Sequence, residues 1–198
     1  MEIKASKKET NDFKLTAKVT VGNVRMWIAN ADENAKTNLL ELIEHRFDNR
    51  YMKHLNHPDI DGGFFKIAIC CLMIETLESF KQGITDTTGK SGKMFKDFFD
   101  SEQEAFPHFN TISKYFYENI RCGILHQAET TNAWRIHIKG PLLNIDDRII
   151  NASAFAKALQ LSFNSYMAVL RNSALNDGIW RKALIKIEDI CRNCEIKN

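Results

Sequence analysis

The chain is poor in the residues that interrupt or staple a fold. It has only 3 prolines and 9 glycines in 198 residues, too few for long linkers, which are rich in both. Charge of either sign is scarce in excess, with a net of +2. That excludes the domain-wide basic footprint of many nucleic-acid binders, while a small basic patch on a near-neutral surface stays compatible. The 5 cysteines are an odd number, and Cys70 and Cys71 adjoin inside an apolar run. A disulfide framework is therefore not expected, and reduced thiols in a cytoplasmic protein are. The longest apolar run, Ile67 to Ile74, falls short of the ~20 residues that span a bilayer. The polar start, MEIKASKKETNDF, lacks the apolar stretch of a signal peptide. Internal repeats and low-complexity segments are also missing.

What is present is helical periodicity. Residues 1–31 read as an N-terminal segment, mobile over Met1 to Asn11 and loosely alternating, hence strand-like or irregular, over Phe13 to Ile28. Residues 32–198 read as a single helical domain. Asp32 offers an N-cap, and Leu39, Leu40, Leu42, Ile43 and Phe47 recur at helical spacing to about Tyr51. His54, His57 and Pro58 break that helix. Gly62-Gly63 opens a helix that is apolar nearly all round, as a central one is, and Gly83 ends it. Ile84 to Lys93 (ITDTTGKSGK) reads as a polar loop, followed by a short amphipathic piece from Met94 to Phe99. Trp134 to Ile138 alternates as a strand does, and Arg148 to Ile150 pairs back to it as a hairpin. Asn151 or Ser153 caps a long helix to about Asn172, and a last helix runs from about Gly178 to Cys194. The fold class is all-α with a small inserted β-hairpin.

The segment from Phe109 to His126 is the best amphipathic helix in the chain, and its end, ENIRCGILHQ, is dense in reactive types. With Lys114 at zero and 100° per residue, Phe109, Ile112, Phe116, Ile120 and Gly123 fall at about 160–240°, the core face. Glu118, Arg121, Cys122 and Leu125 fall on the opposite side at about −20° to 80°, with His126 flanking them at about 120°. Glu118 and Arg121 are three apart and Cys122 and His126 four apart, so each pair can touch. Leu125 at the centre of this outer stripe suits a face that meets a second helix or subunit. The plainer reading is a helix end whose Arg and His meet the negative end of the helix dipole, with Glu118–Arg121 a weak surface pair.

The string Arg121-Cys122-Gly123-Ile124-Leu125-His126 reads R-x4-H and resembles the motif of HEPN (higher eukaryotes and prokaryotes nucleotide-binding) domains. Ile74 to Gly83 (IETLESFKQG) is similar to the end of that family's central helix, and Trp134 to Leu143 (WRIHIKGPLL) to the hairpin after its motif helix. The resemblance covers roughly Gly62 to Cys191. It implies an HEPN-like helical bundle that forms a homodimer with facing motif helices, and metal-independent RNA cleavage in active members. By position, Arg121 and His126 are its catalytic residues, and no cofactor is called for. Histidine moves protons near neutral pH, and an arginine fork neutralises a developing phosphorane. Glu75, Glu78, Glu118 and Cys122 are candidate supporting residues. Many active members carry Asn or Asp after the arginine where this chain has Cys122, whose thiol is a poor hydrogen-bonding group. The resemblance also suggests a toxin–antitoxin or phage-defence setting, with RNA, a nucleotide or an antitoxin protein as partner. The rival expectation is a non-catalytic nucleotide-, RNA- or protein-binding module in which Arg121 and His126 are structural.

Other sites are weaker. Cys191-x-x-Cys194 and His54-x-x-His57 lack the further ligands of a metal centre, so no metal is expected. Lys90, Lys93 and Lys96 surround a Gly-Ser stretch without P-loop spacing. Trp27, Trp134 and Trp180 read as core or interface anchors, and Cys70 and Cys71 as core.

Overall fold

The computed structural model describes residues 10–57, 59 and 62–195. The expected mobility of Met1 to Asn11 lies outside them for residues 1–9, as does the break placed at Pro58. Thr10 is buried.

Helix α1, Val21–Asn30, overturns the strand-like or irregular reading from Val21 onward, while residues 13–20 are not helical. Its start is set by a reciprocal cap: Thr20 Oγ1 accepts from the Asn23 backbone N–H at 3.2 Å, and the Asn23 side chain accepts from the Thr20 N–H at 2.9 Å. Those two bonds satisfy donors that a helix start otherwise leaves orphaned. Val21 and Val24 are fully buried on its inner side. Among the described residues of the segment, Lys14 and Thr20 form an isolated bridge.

Helix α2, Glu33–Phe47, is capped as its sequence predicts, with Asp32 Oδ1 accepting from the Ala35 N–H at 2.7 Å. It continues through a π-helical stretch, Asp48–Met52, into Lys53–Leu55. Helix α3, Gly63–Gln82, ends at Gly83, whose φ of +70° is the left-handed geometry that favours glycine there. Helix α4, Ser91–Ser101, begins inside the stretch read as a loop. Helix α5 runs as Phe109–Tyr115, a π-helical Phe116–Arg121, and Cys122–Gln127. Helix α6 is Ala152–Asn172, with Asn151 Oδ1 accepting from the N–H groups of Ser153 and Ala154. Helix α7 is Gly178–Arg192.

The hairpin expectation needs correction. The sheet has three strands, β1 Arg135–His137, β2 Leu143–Asn144 and β3 Ile149–Asn151, in the order β1-β3-β2. β3 pairs antiparallel with β2 but parallel with β1. The two segments expected to pair do so, but Leu143–Asn144 comes between them in the sequence and reverses the chain, so β3 meets β1 parallel rather than as a hairpin.

The described chain divides into two compact units. The first draws on Met1–Arg46, Phe80–Thr85 and Met167–Asn198. Its core holds Val21, Leu39, Ile43, Leu170 and Trp180, and the Trp180 indole N–H donates to Leu170 O at 2.8 Å. The second draws on Phe47–Ser79 and Asp86–Tyr166. Its core is a cluster of phenylalanines, among them Phe95, Phe99, Phe106, Phe109, Phe116 and Phe155. Phe116 and Phe155 stack with centroids 5.3 Å apart, while Phe99 meets Phe116 edge-on at 5.1 Å. Such geometries add to the area the rings bury. This cluster anchors α5, and through it the Arg121 region. No described helix is long and apolar enough to cross a membrane.

Candidate functional site

The core face of α5 is the one its periodicity predicts: Phe109, Ile112, Phe116, Ile120 and Gly123 are all buried. Ser113 and Asn119 join them. Asn119 is fully engaged. Its Nδ2 donates to Tyr115 O at 3.0 Å, its Oδ1 accepts from Thr131 Oγ1 at 2.9 Å, and its carbonyl accepts from the Thr131 N–H at 2.9 Å. The chain after the helix thus folds back over it, aided by the left-handed Ala128. It passes so close that a Cβ on Gly123 would lie 2.5 Å from Glu129 O.

The outer stripe is not arranged as a regular α-helix would arrange it. Across Phe116–Arg121 the hydrogen bonding is i→i+5, which widens the turn and sets back the phase of the residues after it relative to an α-helix. Residues four and five apart then come to one side. Arg121 lies over the Tyr117 ring, its guanidinium carbon 5.7 Å from the centroid, within cation–π range. Cys122 follows Arg121 and acts on the Tyr117 phenol. Arg121 is also turned inward, its side chain only 15% exposed.

The partner of Arg121 is Glu75 on α3, not Glu118. Arg121 Nε and Nη2 each lie 2.8 Å from Glu75 Oε1. The other carboxylate oxygen, Oε2, accepts from Ser91 Oγ at 3.0 Å, at the first residue of α4. Beside it, a Cβ on Gly92 would sit 3.3 Å from the Tyr117 ring, so α4 packs closely on that ring. Three helices therefore meet at one carboxylate. Burial disfavours the Arg121 charge, but the hydrogen bond and charge of Glu75 outweigh it, and the guanidinium pKa lies above its ordinary value. Burial pushes the Tyr117 phenol up, with Cys122 adding to the effect. The fully buried Cys71 thiol is held well above its usual range, chiefly by burial.

The other candidates stand apart. Glu118 is exposed and lies 3.9 Å from Lys114. Glu78 is buried, and its charge acts on Tyr166, whose phenol is raised first by burial and then by Glu78. His126 is exposed in the last turn of α5. Leu125, on the outer stripe as expected, is 38% exposed. Sequence reasoning named Arg121, Glu75 and Cys122 but missed Ser91 and Tyr117. Tyr117 is four residues before Arg121, a spacing that could have found it. For Ser91, 30 residues before Arg121 and read as loop, no local signal existed.

Among the described residues no group of three or more His, Cys, Asp or Glu side chains could hold a metal ion. Cys191 is buried, and Cys194 Sγ lies 3.4 Å from Ile190 O. His54 Nε2 lies 3.1 Å from Asn49 O, and His57 Nδ1 accepts from the Asp59 N–H at 3.3 Å. Lys93 and Lys96 pair with Asp97 and Asp100 along α4. Trp134 and Trp180 are core, while Trp27 is half-buried.

Comparison of the chain with protein-family models, with curated proteins and with solved structures finds no match.

Proposed function

We propose that this chain is an HEPN-like protein that binds RNA and cleaves it without metal, as a homodimer whose site combines Arg121 and His126 from two copies. The observation that carries this reading is the state of Arg121. Glu75 engages Nε and one side of Nη2, which leaves both hydrogens of Nη1 and one of Nη2 uncommitted to it. An aimed guanidinium with donors to spare is suited to a phosphodiester oxygen.

The chemistry is attack of the 2′-oxygen on the adjacent phosphorus, giving a 2′,3′-cyclic phosphate and a free 5′-hydroxyl. One histidine takes the proton from the 2′-hydroxyl, and a second gives one to the departing 5′-oxygen. A single chain offers only one His126. It lies five positions along the helix from Arg121, about 140° around the axis, so a second copy is needed to surround one phosphate. The exposed Leu125 and Tyr115 on the same helix support such an interface. A role in toxin–antitoxin or phage-defence systems, with an antitoxin as further partner, rests on the resemblance alone.

The second reading is a non-catalytic nucleotide-, RNA- or protein-binding module. It is favoured by the Glu75 bond itself, which offsets part of the Arg121 charge, and by Cys122 after the arginine.

The test is cleavage of a mixed-sequence RNA in EDTA by the wild type, Arg121→Ala and His126→Ala, at matched folding and oligomeric size. The first reading expects cleavage by the wild type and a loss of at least ~100-fold in each variant. Cleavage that survives both substitutions rejects the site. Binding of RNA without cleavage, lost in Arg121→Ala, supports the second reading.

A further inference from the structure

The carboxylate that holds Arg121 is itself held. Ser91 Oγ donates to Glu75 Oε2 at 3.0 Å while Arg121 occupies Oε1 at 2.8 Å. With each oxygen committed to a different helix, the carboxylate plane has little freedom to rotate. On the other side the guanidinium rests on the Tyr117 ring at 5.7 Å, and that ring is backed by α4 at Gly92. A guanidinium is planar, so a hydrogen-bonded carboxylate at one edge and a ring within cation–π range restrict how it can turn. The hydrogens of Nη1 are committed to neither Glu75 nor the ring.

We propose that Ser91 and Tyr117 are positioning residues for Arg121, and that with Glu75 they aim the Nη1 edge of the guanidinium at a phosphodiester; this rests on the reading of Arg121 as the phosphate-binding group of an RNA site. Ser91 acts through the carboxylate and Tyr117 through its ring face. Neither needs to touch the RNA. Catalysis is sensitive to such aim, because a misplacement of about 1 Å can cost about 100-fold in rate.

The test has two arms on the full chain. The first follows the Arg121 Nε–H signal by NMR, assigned by its loss in Arg121→Lys, in Ser91→Ala, Ser91→Thr, Tyr117→Leu and Tyr117→Phe. The proposal expects Ser91→Ala and Tyr117→Leu to shift or broaden this signal, and Ser91→Thr and Tyr117→Phe to restore it. The second arm measures kcat and KM for RNA cleavage, and affinity for a 2′-O-methyl RNA that cannot be cleaved. The expected result is a fall in kcat of about tenfold in Ser91→Ala and Tyr117→Leu with a smaller change in affinity, rescued by the conservative variants. An Arg121 signal unchanged in Ser91→Ala and Tyr117→Leu overturns the proposal whether or not RNA is cleaved. A Tyr117→Phe variant as impaired as Tyr117→Leu also overturns it, since the phenol rather than the ring face would then be the acting group. A signal that responds as expected in a wild type that neither binds nor cleaves RNA keeps Arg121 positioned but removes the phosphodiester, and so overturns the purpose assigned to it.

Discussion

At the scale of single residues, the exchange of Glu118 for Glu75 as the partner of Arg121 changes what substitution should do. A surface pair of the Glu118 type contributes a few tenths of a kcal/mol. The Glu75–Arg121 pair is different, with side chains 14% and 15% exposed, and removing one partner leaves a charge largely out of water. Glu75→Leu is expected to cost about 3 kcal/mol in urea denaturation. The double variant Glu75→Leu/Arg121→Met should recover at least about 1 kcal/mol of that loss, because no charge is then stranded. Simple additivity of the two single variants would show that the pair is not coupled. Arg121 stood out in the sequence because it falls near a helix end beside a cysteine and a histidine. Its partner was legible only as one of three candidate glutamates, because Glu75 lies 46 residues away and only the packing of α3 against α5 singles it out.

At the scale of elements, the agreement and the failures have distinct causes. The core faces of α2 and α5 were legible because burial imposes a period that survives in the residue order, and α3 because it is apolar nearly all round. The α1 helix was misread because VTVGNVRMWI mixes β-branched and aromatic types, whereas the signal that mattered was the cap at Thr20 and Asn23. The start of α4 was hidden by the glycines and polar residues of GKSGK; no side chain caps it, and its first residue is instead tied to Glu75. The pairing of β3 with β1 was legible, but its parallel direction was not, because the short strand Leu143–Asn144 that reverses the chain between them carries too few residues to show alternation. Gly123 has a sharper consequence. Its missing Cβ makes room for the backbone of Glu129 and Thr130, which lies at 2.5 and 3.3 Å from where that atom would be. Backbone does not swing aside as a side-chain tip does. Gly123→Ala is therefore expected to cost about 1–3 kcal/mol, seen as a lower urea midpoint at unchanged slope. An unaltered midpoint would contradict the close passage of this turn over α5.

At the scale of the whole molecule, the cysteines set a pH dependence. Burial pushes the Cys191 thiol up to about 11 from 9.0, with the charge of Arg25 opposing. Between those two values the unfolded chain gives up this proton while the native chain keeps it. The unfolded state then binds fewer protons, so stability falls as pH rises through this window and levels off above it. Measured between pH 8.5 and 11, the wild type should lose about 1–2 kcal/mol more than Cys191→Ala, a difference in which the other thiols and phenols cancel. Equal losses would show that Cys191 is not protected in the native state.

The π-helical stretch of α5 also bears on how this chain would be laid beside another. It holds one residue more per turn than the helix on either side, so it amounts to an insertion that the helix has absorbed rather than looped out. A homologue lacking that residue would keep the interval from arginine to histidine, since Arg121 closes the widened turn and His126 lies beyond it. It would carry the counterpart of Tyr117 one step out of line, and with it the ring beneath the guanidinium. Two chains could thus share the six-residue string and differ in whether its arginine is supported, a difference that a gap penalised within a helix would conceal.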